Sequence, residues 1–259
     1  MKVHYGVDVV NDSPVLRPAI AEPHAETTAV ERLPFTVSVA RSDEQLRKAV
    51  TMRHAAYARH VPALADLLKT PESWDYDEGS VVLLAESKLD GSPLGTMRIQ
   101  TNLRRSLAIE QSVELPEWLQ GRSLAEATRL GVSLGRVGRL VKTVLFKAYF
   151  QYCQQAEIDW MVITGRAPLD RQYEALLFKD VFPERGFIPM RHVGNILHRV
   201  LAFDVGTAEE RWAAANHPLF DFVFRTQHPD LDLGDDDLFY RTVEGPFALA
   251  QRAAYSGRQ

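Results

Sequence analysis

The chain has 259 residues, 46% hydrophobic and 25% charged, with a net charge of −4. That balance is ordinary for a globular protein and excludes a general attraction to nucleic acid or an anionic membrane. A single cysteine, Cys153, excludes a disulfide framework and suits a reducing compartment. No apolar run reaches membrane-span length, and the opening MKVHYGVDVVNDSPVL has no apolar signal core, so a cytoplasmic location without a transmembrane segment is expected.

Residues 1–33 show little periodicity and read as a flexible arm ahead of a domain at 34–205. PFTVSVA (34–40) alternates as a strand. Ser42 and Asp43 suit the cap of a helix running to about His60, which Pro62 ends. After a polar connection at 63–79, VVLLAES (81–87), the turn LDGSP and LGTMRIQ (94–100) form a hairpin. LAIEQSVELPEWL (107–119) is an excursion, and SLAEATRLGV (123–132) is the next strand. Gly131 to Gly138 lead into a helix whose apolar stripe runs through Val137, Leu140, Val141, Val144, Leu145, Ala148, Tyr149 and Tyr152. IDWMVIT (158–164), a helix over 168–178 and ILHRVLAFDV (196–205) follow. Residues 206–259 read as a helical extension packed on the domain, with an aromatic cluster (Trp212, Phe220, Phe222, Phe224) and an acidic run, Asp235 to Asp237. The order predicts a mixed α/β fold with hairpins in its first half, which excludes a plain doubly wound sheet.

Common catalytic signatures are missing. There is no nucleophile elbow and no P-loop, and Gly131, Gly135 and Gly138 do not make a dinucleotide fingerprint. The histidines lack metal-site spacing, so no metal is expected. Cys153 adjoins the helix stripe and reads as core filler.

Four segments instead carry charge where a core would not want it. These are Arg53, one helical turn before Tyr57; Asp75 and Asp77 in WDYDEGS; Arg98 inside LGTMRIQ; and Glu126 with Arg129 inside SLAEATRLGV. Charges within apolar strands are costly unless paired, so three arginines and three carboxylates are expected to gather at one cleft. Glu126 and Arg129 are three apart and would point to opposite faces of a regular strand. If both serve one site, the strand carries a bulge that opens it from its neighbour and frees backbone N–H groups.

With these residues in place, the sequence resembles the acyl-homoserine-lactone (autoinducer) synthases and, more closely, the N-acyl amino acid synthases, both GNAT-type acyltransferases. The matching segments are Arg53 with Tyr57, Tyr76-Asp77 before a strand, Gly95-Thr96-Met97-Arg98, and Glu126-Ala127-Thr128-Arg129, in order over about residues 44–165. Autoinducer synthases place two acids three apart in the second segment. Here Asp75 and Asp77 are two apart, so Asp77 is read as the match, with Trp74 in the slot of the other acid. Their early tryptophan has no counterpart, because Trp74 comes too late. Both departures argue against an S-adenosylmethionine acceptor.

The resemblance implies a GNAT-like three-layer α/β/α sandwich with a mixed, partly splayed central sheet. It implies transfer of a long-chain fatty-acyl group from acyl carrier protein to the amine of an amino acid, with acyl-phosphopantetheine as donor and no tightly bound cofactor. Glu126 is the first candidate for general base and Asp77 the second; Arg98 or Arg129 would bind the acceptor carboxylate through paired hydrogen bonds. Arg53, Tyr57, Trp74, Asp75 and Thr128 are expected to line the substrate site. Gly135, Arg136, Val137 and Gly138 keep part of the GNAT phosphate loop at a helix N-terminus. With Arg104, Arg105, Arg139 and Lys142 they would form a basic patch for an acidic carrier protein. An autoinducer synthase, and a non-catalytic carrier- or lipid-binding module, are the alternatives.

Overall fold

In the computed structural model, which describes residues 29–234, the elements follow in chain order. They are β1 (Ala29–Val30), β2 (Phe35–Val39), α1 (Asp43–Ala58), α2 (Pro62–Ala65), β3 (Ser80–Ser87), β4 (Pro93–Thr101), β5 (Leu124–Val132) and α3 (Gly135–Gln155). Then come β6 (Trp160–Gly165), α4 (Leu169–Ala175), β7 (Lys179–Asp180), β8 (Ile188–Met190), β9 (Ile196–Asp204), α5 (Ala208–Ala214), β10 (Thr226–Gln227) and β11 (Leu231–Asp232).

Local chemistry sets the boundaries. Ser42 Oγ accepts from the Gln45 amide at 3.2 Å and so caps α1, whose first turn carries Asp43 and Glu44. Pro62 does more than end that helix. It stands at the start of α2, where its missing N–H costs nothing. Asp90 and Gly91, the latter at φ +68°, turn the chain between β3 and β4.

The main sheet runs β11-β2-β3-β4-β5-β6-β9-β7, with β8 also on β9. From β2 to β5 the neighbours are antiparallel; β5 and β6 are parallel across the α3 connection. The strands expected at 34–40, 81–87, 94–100, 123–132, 158–164 and 196–205 all form. The short β7, β8, β10 and β11 carry too few residues for an alternation to show.

Side chains alternate across this sheet. One face presents Leu83, Met97, Ile99, Ala125, Ala127, Met161 and Ile163, joined in one apolar cluster with α3 and Trp212. The other face is divided. Val82 and Leu84 pack under α1 with Leu46, Ala49 and Val50. Further along, Leu64, Ile109, Val162, Met190 and Val200 make a separate cluster. Between the two, on β4 and β5, lie buried Arg98, Gln100, Glu126 and Thr128.

Three expectations change. Residues 29–33, assigned to the flexible arm, are packed: β1 pairs with β10, Leu33 is buried, and its amide donates to Asp230 at 2.8 Å. Val137 and Leu140 do not join the α3 stripe but stand 46% and 36% exposed at its first turns. The extension after 206 is helical only in part, with α5 followed by β10 and β11, and its aromatics pack on the domain: Trp212 stacks on Phe146 at 5.9 Å and Phe224 meets Phe150 at 5.3 Å. The acidic run at 235–237 and residues 1–28 of the arm lie outside the described residues.

Candidate active site

β5 carries the irregularity that its charge spacing demands. Arg98 pairs with Thr128 and Thr96 with Gly131, so Arg129 and Leu130 together face Met97 alone. Arg129 takes φ +57°, the left-handed region that a residue with a Cβ enters only when its surroundings hold it there. This bulge turns Arg129 onto the face of Glu126 and Thr128. Gly131 lets β5 approach α1 closely, since a Cβ there would lie 3.0 Å from Ala56 Cβ and 3.2 Å from Arg53 Cα.

An ion-pair network then assembles from α1, β4, β5 and the connection before β3. Arg53 grips Asp75 through two hydrogen bonds of 2.8 and 2.9 Å. Arg129 grips Glu72 in the same bidentate way, at 2.7 Å for both. Arg98 bridges the two acids at 3.1 Å each, and its Nε donates to Thr128 Oγ1 at 3.1 Å. Burial would raise both carboxyls, but the hydrogen bonds and charges of Arg129, Arg98 and Arg53 outweigh it and hold Glu72 and Asp75 below their usual range. Three guanidiniums against two carboxylates leave one positive charge in excess. Arg129 Nη1 is buried without a hydrogen-bond partner.

Glu126 stands beside this network and outside its pairing. It is fully buried, accepts from the Ile109 amide at 3.1 Å, and its Oε1 has no hydrogen-bond partner. Burial pushes its carboxyl up to about 7, against the pull of the Ile109 and Ala108 amides and of Arg98 and Arg129. Such a carboxyl exchanges protons near neutrality.

The splay lies next to it. Pairing of β5 with β6 stops at Ala127↔Ile163, although both strands continue. The gap opens into a cavity of about 250 Å³, walled by Tyr57, Thr128, Arg129, Ile163, Tyr173 and His192 among others. Its lining includes Arg59, Lys142 and Arg166 and no acidic residue.

Of the residues singled out in the sequence, Arg53, Asp75, Arg98, Thr128, Arg129 and Glu126 come together here, and Tyr57 lines the cavity. Asp77 does not join them. Its side chain accepts from the Gly79 amide and pairs with Arg105 at 2.6 Å, outside the network. The acids of the network are Asp75 and Glu72, the second unrecognised in the sequence. Glu72 and Asp75 are three apart, so the signal was available one residue pair earlier. The Trp74 ring lies 3.2 Å under the Arg105 guanidinium, outside the network, in a groove lined by residues 102–121.

The basic patch is divided. Arg104 and Arg105 follow β4 at the end where Thr101 meets Ala125, and Arg104 pairs with Glu78 at 2.7 Å. Gly135, Arg136, Val137, Gly138, Arg139 and Lys142 follow the far end of β5, about 25 Å away along the strand. No side chain caps the α3 N-terminus, and Gly138 lies so close to Ser133 O that a Cβ would sit 1.7 Å from it. Among the described residues no cluster of His, Cys, Asp and Glu is arranged to hold a metal, and no helix is long and apolar enough to cross a membrane.

A mixed sheet sandwiched between helices and opened at a bulged strand defines the GNAT-like three-layer α/β/α fold. Solved structures that share it include FeeM, an N-acyl amino acid synthase from uncultured soil microbes, with 16% identity and a TM-score of 0.56 over 70% of this chain and 96% of that one. They also include BjaI, a CoA-dependent acyl-homoserine lactone synthase seen with MTA and with SAM and isopentyl-CoA, with 16% identity and a TM-score of 0.52 over 81% and 99% of the two chains. At such identity the likeness is one of fold. No family model and no curated protein matches the sequence.

Proposed function

We propose that the protein is an N-acyltransferase, related to the N-acyl amino acid synthases, that moves a long-chain fatty-acyl group from acyl carrier protein to the amine of an amino acid. One observation carries the reading: Arg129, with a buried guanidinium nitrogen that has no partner, lines the cavity at the splayed strands, and Glu126, with a buried unpartnered oxygen, lies on the same strand behind the cavity wall. The excess positive charge suits the acceptor's carboxylate, and Glu126 suits the amine's proton.

In this reaction the amine nitrogen attacks the thioester carbonyl, the new N–C bond forms, and the proton leaves toward Glu126. Collapse of the tetrahedral intermediate breaks the C–S bond and releases the phosphopantetheine thiol. Backbone N–H groups of the unpaired end of β5 suit the developing oxyanion. No acyl-enzyme is needed. Cys153 lies in the apolar cluster of the opposite face, where burial pushes its thiol well up.

The donor's phosphate suits the uncapped start of α3, beside Gly135 to Gly138. There Arg136 and Arg139, with exposed Leu134, Val137 and Leu140, offer an acidic carrier protein both charge and apolar contact. Arg104 and Arg105 take no part in that surface. The single buried cysteine suits the cytoplasm.

The test is to incubate purified protein with acyl carrier protein or coenzyme A thioesters, a panel of amino acids, and S-adenosylmethionine, and to weigh the products. An acyl amino acid formed from the carrier-protein donor is the expected result. Consumption of S-adenosylmethionine would make the enzyme an autoinducer synthase, and no amide from any amine would leave a binding module.

A further inference from the structure

Only one oxygen of the Glu126 carboxylate is matched. Oε2 accepts from the Ile109 amide at 3.1 Å, while Oε1 is buried without a hydrogen-bond partner. The strand register sets two further polar residues beside it in one row. Ser80 on β3 stands opposite Gln100 on β4, and Gln100 stands opposite Glu126 on β5. All three are buried and point to the α1 face, as Val82, Arg98 and Thr128 do two positions along each strand. Each keeps one buried polar atom without a partner: Ser80 Oγ, Gln100 Nε2 and Glu126 Oε1. Three such atoms on neighbouring strands are too many for chance, since buried polar groups are nearly always satisfied.

The Gln100 amide has a fixed orientation. Arg98 Nε donates to Thr128 Oγ1 at 3.1 Å, which leaves the threonine proton for Gln100 Oε1, 3.4 Å away. That contact draws the amide toward β5 and leaves Nε2 free of Thr128. Opposed residues of an antiparallel pair have Cα atoms about 5 Å apart, so the three side chains are close neighbours. Yet no direct hydrogen bond satisfies Ser80 Oγ, Gln100 Nε2 or Glu126 Oε1. A polar contact too wide for a direct bond calls for a water, and a buried water makes about three hydrogen bonds. The row offers a donor, an acceptor and a hydroxyl.

We propose that Ser80, Gln100 and Glu126 bind one buried water, and that Gln100 is a positioning residue for the base. The water-binding row stands on its own geometry; its consequence for turnover rests on the acyl-transfer reading. The water accepts from Gln100 Nε2, donates one proton to Glu126 Oε1 and the other to Ser80 Oγ. It gives the ionised carboxylate a donor on its second oxygen. Through Gln100 and Thr128 it also ties the base to Arg98 and the ion-pair network.

The other groups around Glu126 show what this donor works against. Burial pushes the carboxyl up to about 7, opposed by the Ile109 and Ala108 amides and by Arg98 and Arg129. His192 Nε2 lies 3.9 Å from Oε1. Burial, with Arg129, His198 and Arg98, holds that imidazole down at about 3, against Glu72, so it is neutral and brings no charge. Tyr149, on the opposite face, stays protonated, because burial raises its hydroxyl. The water sides with the amides and arginines in favouring the ionised form, so its loss raises the carboxyl further.

The row can be tested with and without turnover. In ¹³C NMR spectra of glutamate-labelled protein, with Glu126 assigned by the E126Q variant, the carboxyl midpoint is expected to rise by about one pH unit in Gln100→Met. That is the tenfold effect of losing a hydrogen bond to a charged group. Ser80→Ala is expected to raise the midpoint too, and the double variant no further than the larger single effect, because both residues hold the same water. A midpoint that stays put in either single variant, or shifts that add, would overturn the proposal, whether or not the protein transfers acyl groups. A crystal structure is expected to show one ordered water within hydrogen-bond reach of all three atoms; side chains that satisfy one another directly would overturn it as well. In the transfer assay, Q100M is expected to slow a single turnover about fivefold at pH 7 and to match the wild type at high pH, with the donor KM unchanged. An equal loss at every pH is what a merely structural glutamine would give, and it would remove the positioning role. Wild-type protein that forms no amide would sink the acyl-transfer reading, and the titrations would still judge the row.

Discussion

The two faces of the central sheet bury polar groups in different ways. On the α3 face the cluster is continuous and apolar, and its buried cation, Lys147, has an acceptor for each proton: the carbonyls of Phe222 and Thr226, and His228 Nδ1. Burial lowers its pKa to about 8, and it takes no part in the lining of the cavity at the splayed strands. On the α1 face the apolar clusters are split by five charged side chains that pair with one another and still leave Arg129 Nη1, Glu126 Oε1 and His192 Nδ1 unmatched beside the cavity. A buried ion network is weak evidence of stability. Hydrogen-bonding capacity left over at a cavity is what separates a network that binds something from one that only holds the fold.

Substitutions on each face sharpen that contrast. The largest loss of stability is expected from Arg53→Met, which strips Asp75 of its bidentate partner and leaves it only the Arg98 guanidinium and the Glu72 amide, at a cost of about 3 kcal/mol in urea unfolding. Leu145→Ala on the opposite face is expected to cost about 2–5 kcal/mol by opening a cavity, yet to leave turnover per folded molecule unchanged. Equal loss of activity in both variants would erase the distinction between the faces.

Glu126→Gln is expected to move stability the other way. A carboxyl whose folded pKa is raised contributes stability below its ordinary value of 4.5 and loses it as pH rises through about 7. At pH 8 a neutral amide should therefore stabilise the protein by roughly 3 kcal/mol, read from the urea midpoint, while turnover falls at least 100-fold. Glu72 and Asp75 carry the opposite sign. Their lowered values contribute stability above 4.5 and 3.8, respectively, that is lost as pH falls through the folded values, so Asp75→Asn should flatten the acid limb of the stability curve. The smallest effect is expected for Asp77→Asn, whose partner Arg105 is 41% exposed: within about 0.5 kcal/mol and with little change in turnover.

Much of this arrangement was legible in the sequence. The three-residue offset of Glu126 and Arg129 required a bulge, and β5 has one, centred on Arg129 itself. Charges inside two apolar strands required partners, and Arg98 and Arg129 have them. Glu72 escaped because it lies in an irregular connection, where no periodicity marks a residue as inward-facing. His192 escaped for a different reason. Its relation to Glu126 is made by a turn 66 positions along the chain, and a contact of that kind leaves no local pattern. The expected patch of Arg104, Arg105, Arg136, Arg139 and Lys142 failed because both ends of β5 are basic, and composition cannot tell one end of a strand from the other.

The most direct test of an unpaired, proton-accepting Glu126 behind the cavity wall is the pH dependence of a single turnover with saturating acyl donor and amino acid. The account predicts a rate that climbs tenfold per pH unit below about 7 and then levels in the wild type, following ionisation of the buried carboxyl. In Glu126→Gln it predicts a slow rate with no such limb. The same rates and the same profile in both proteins would contradict it.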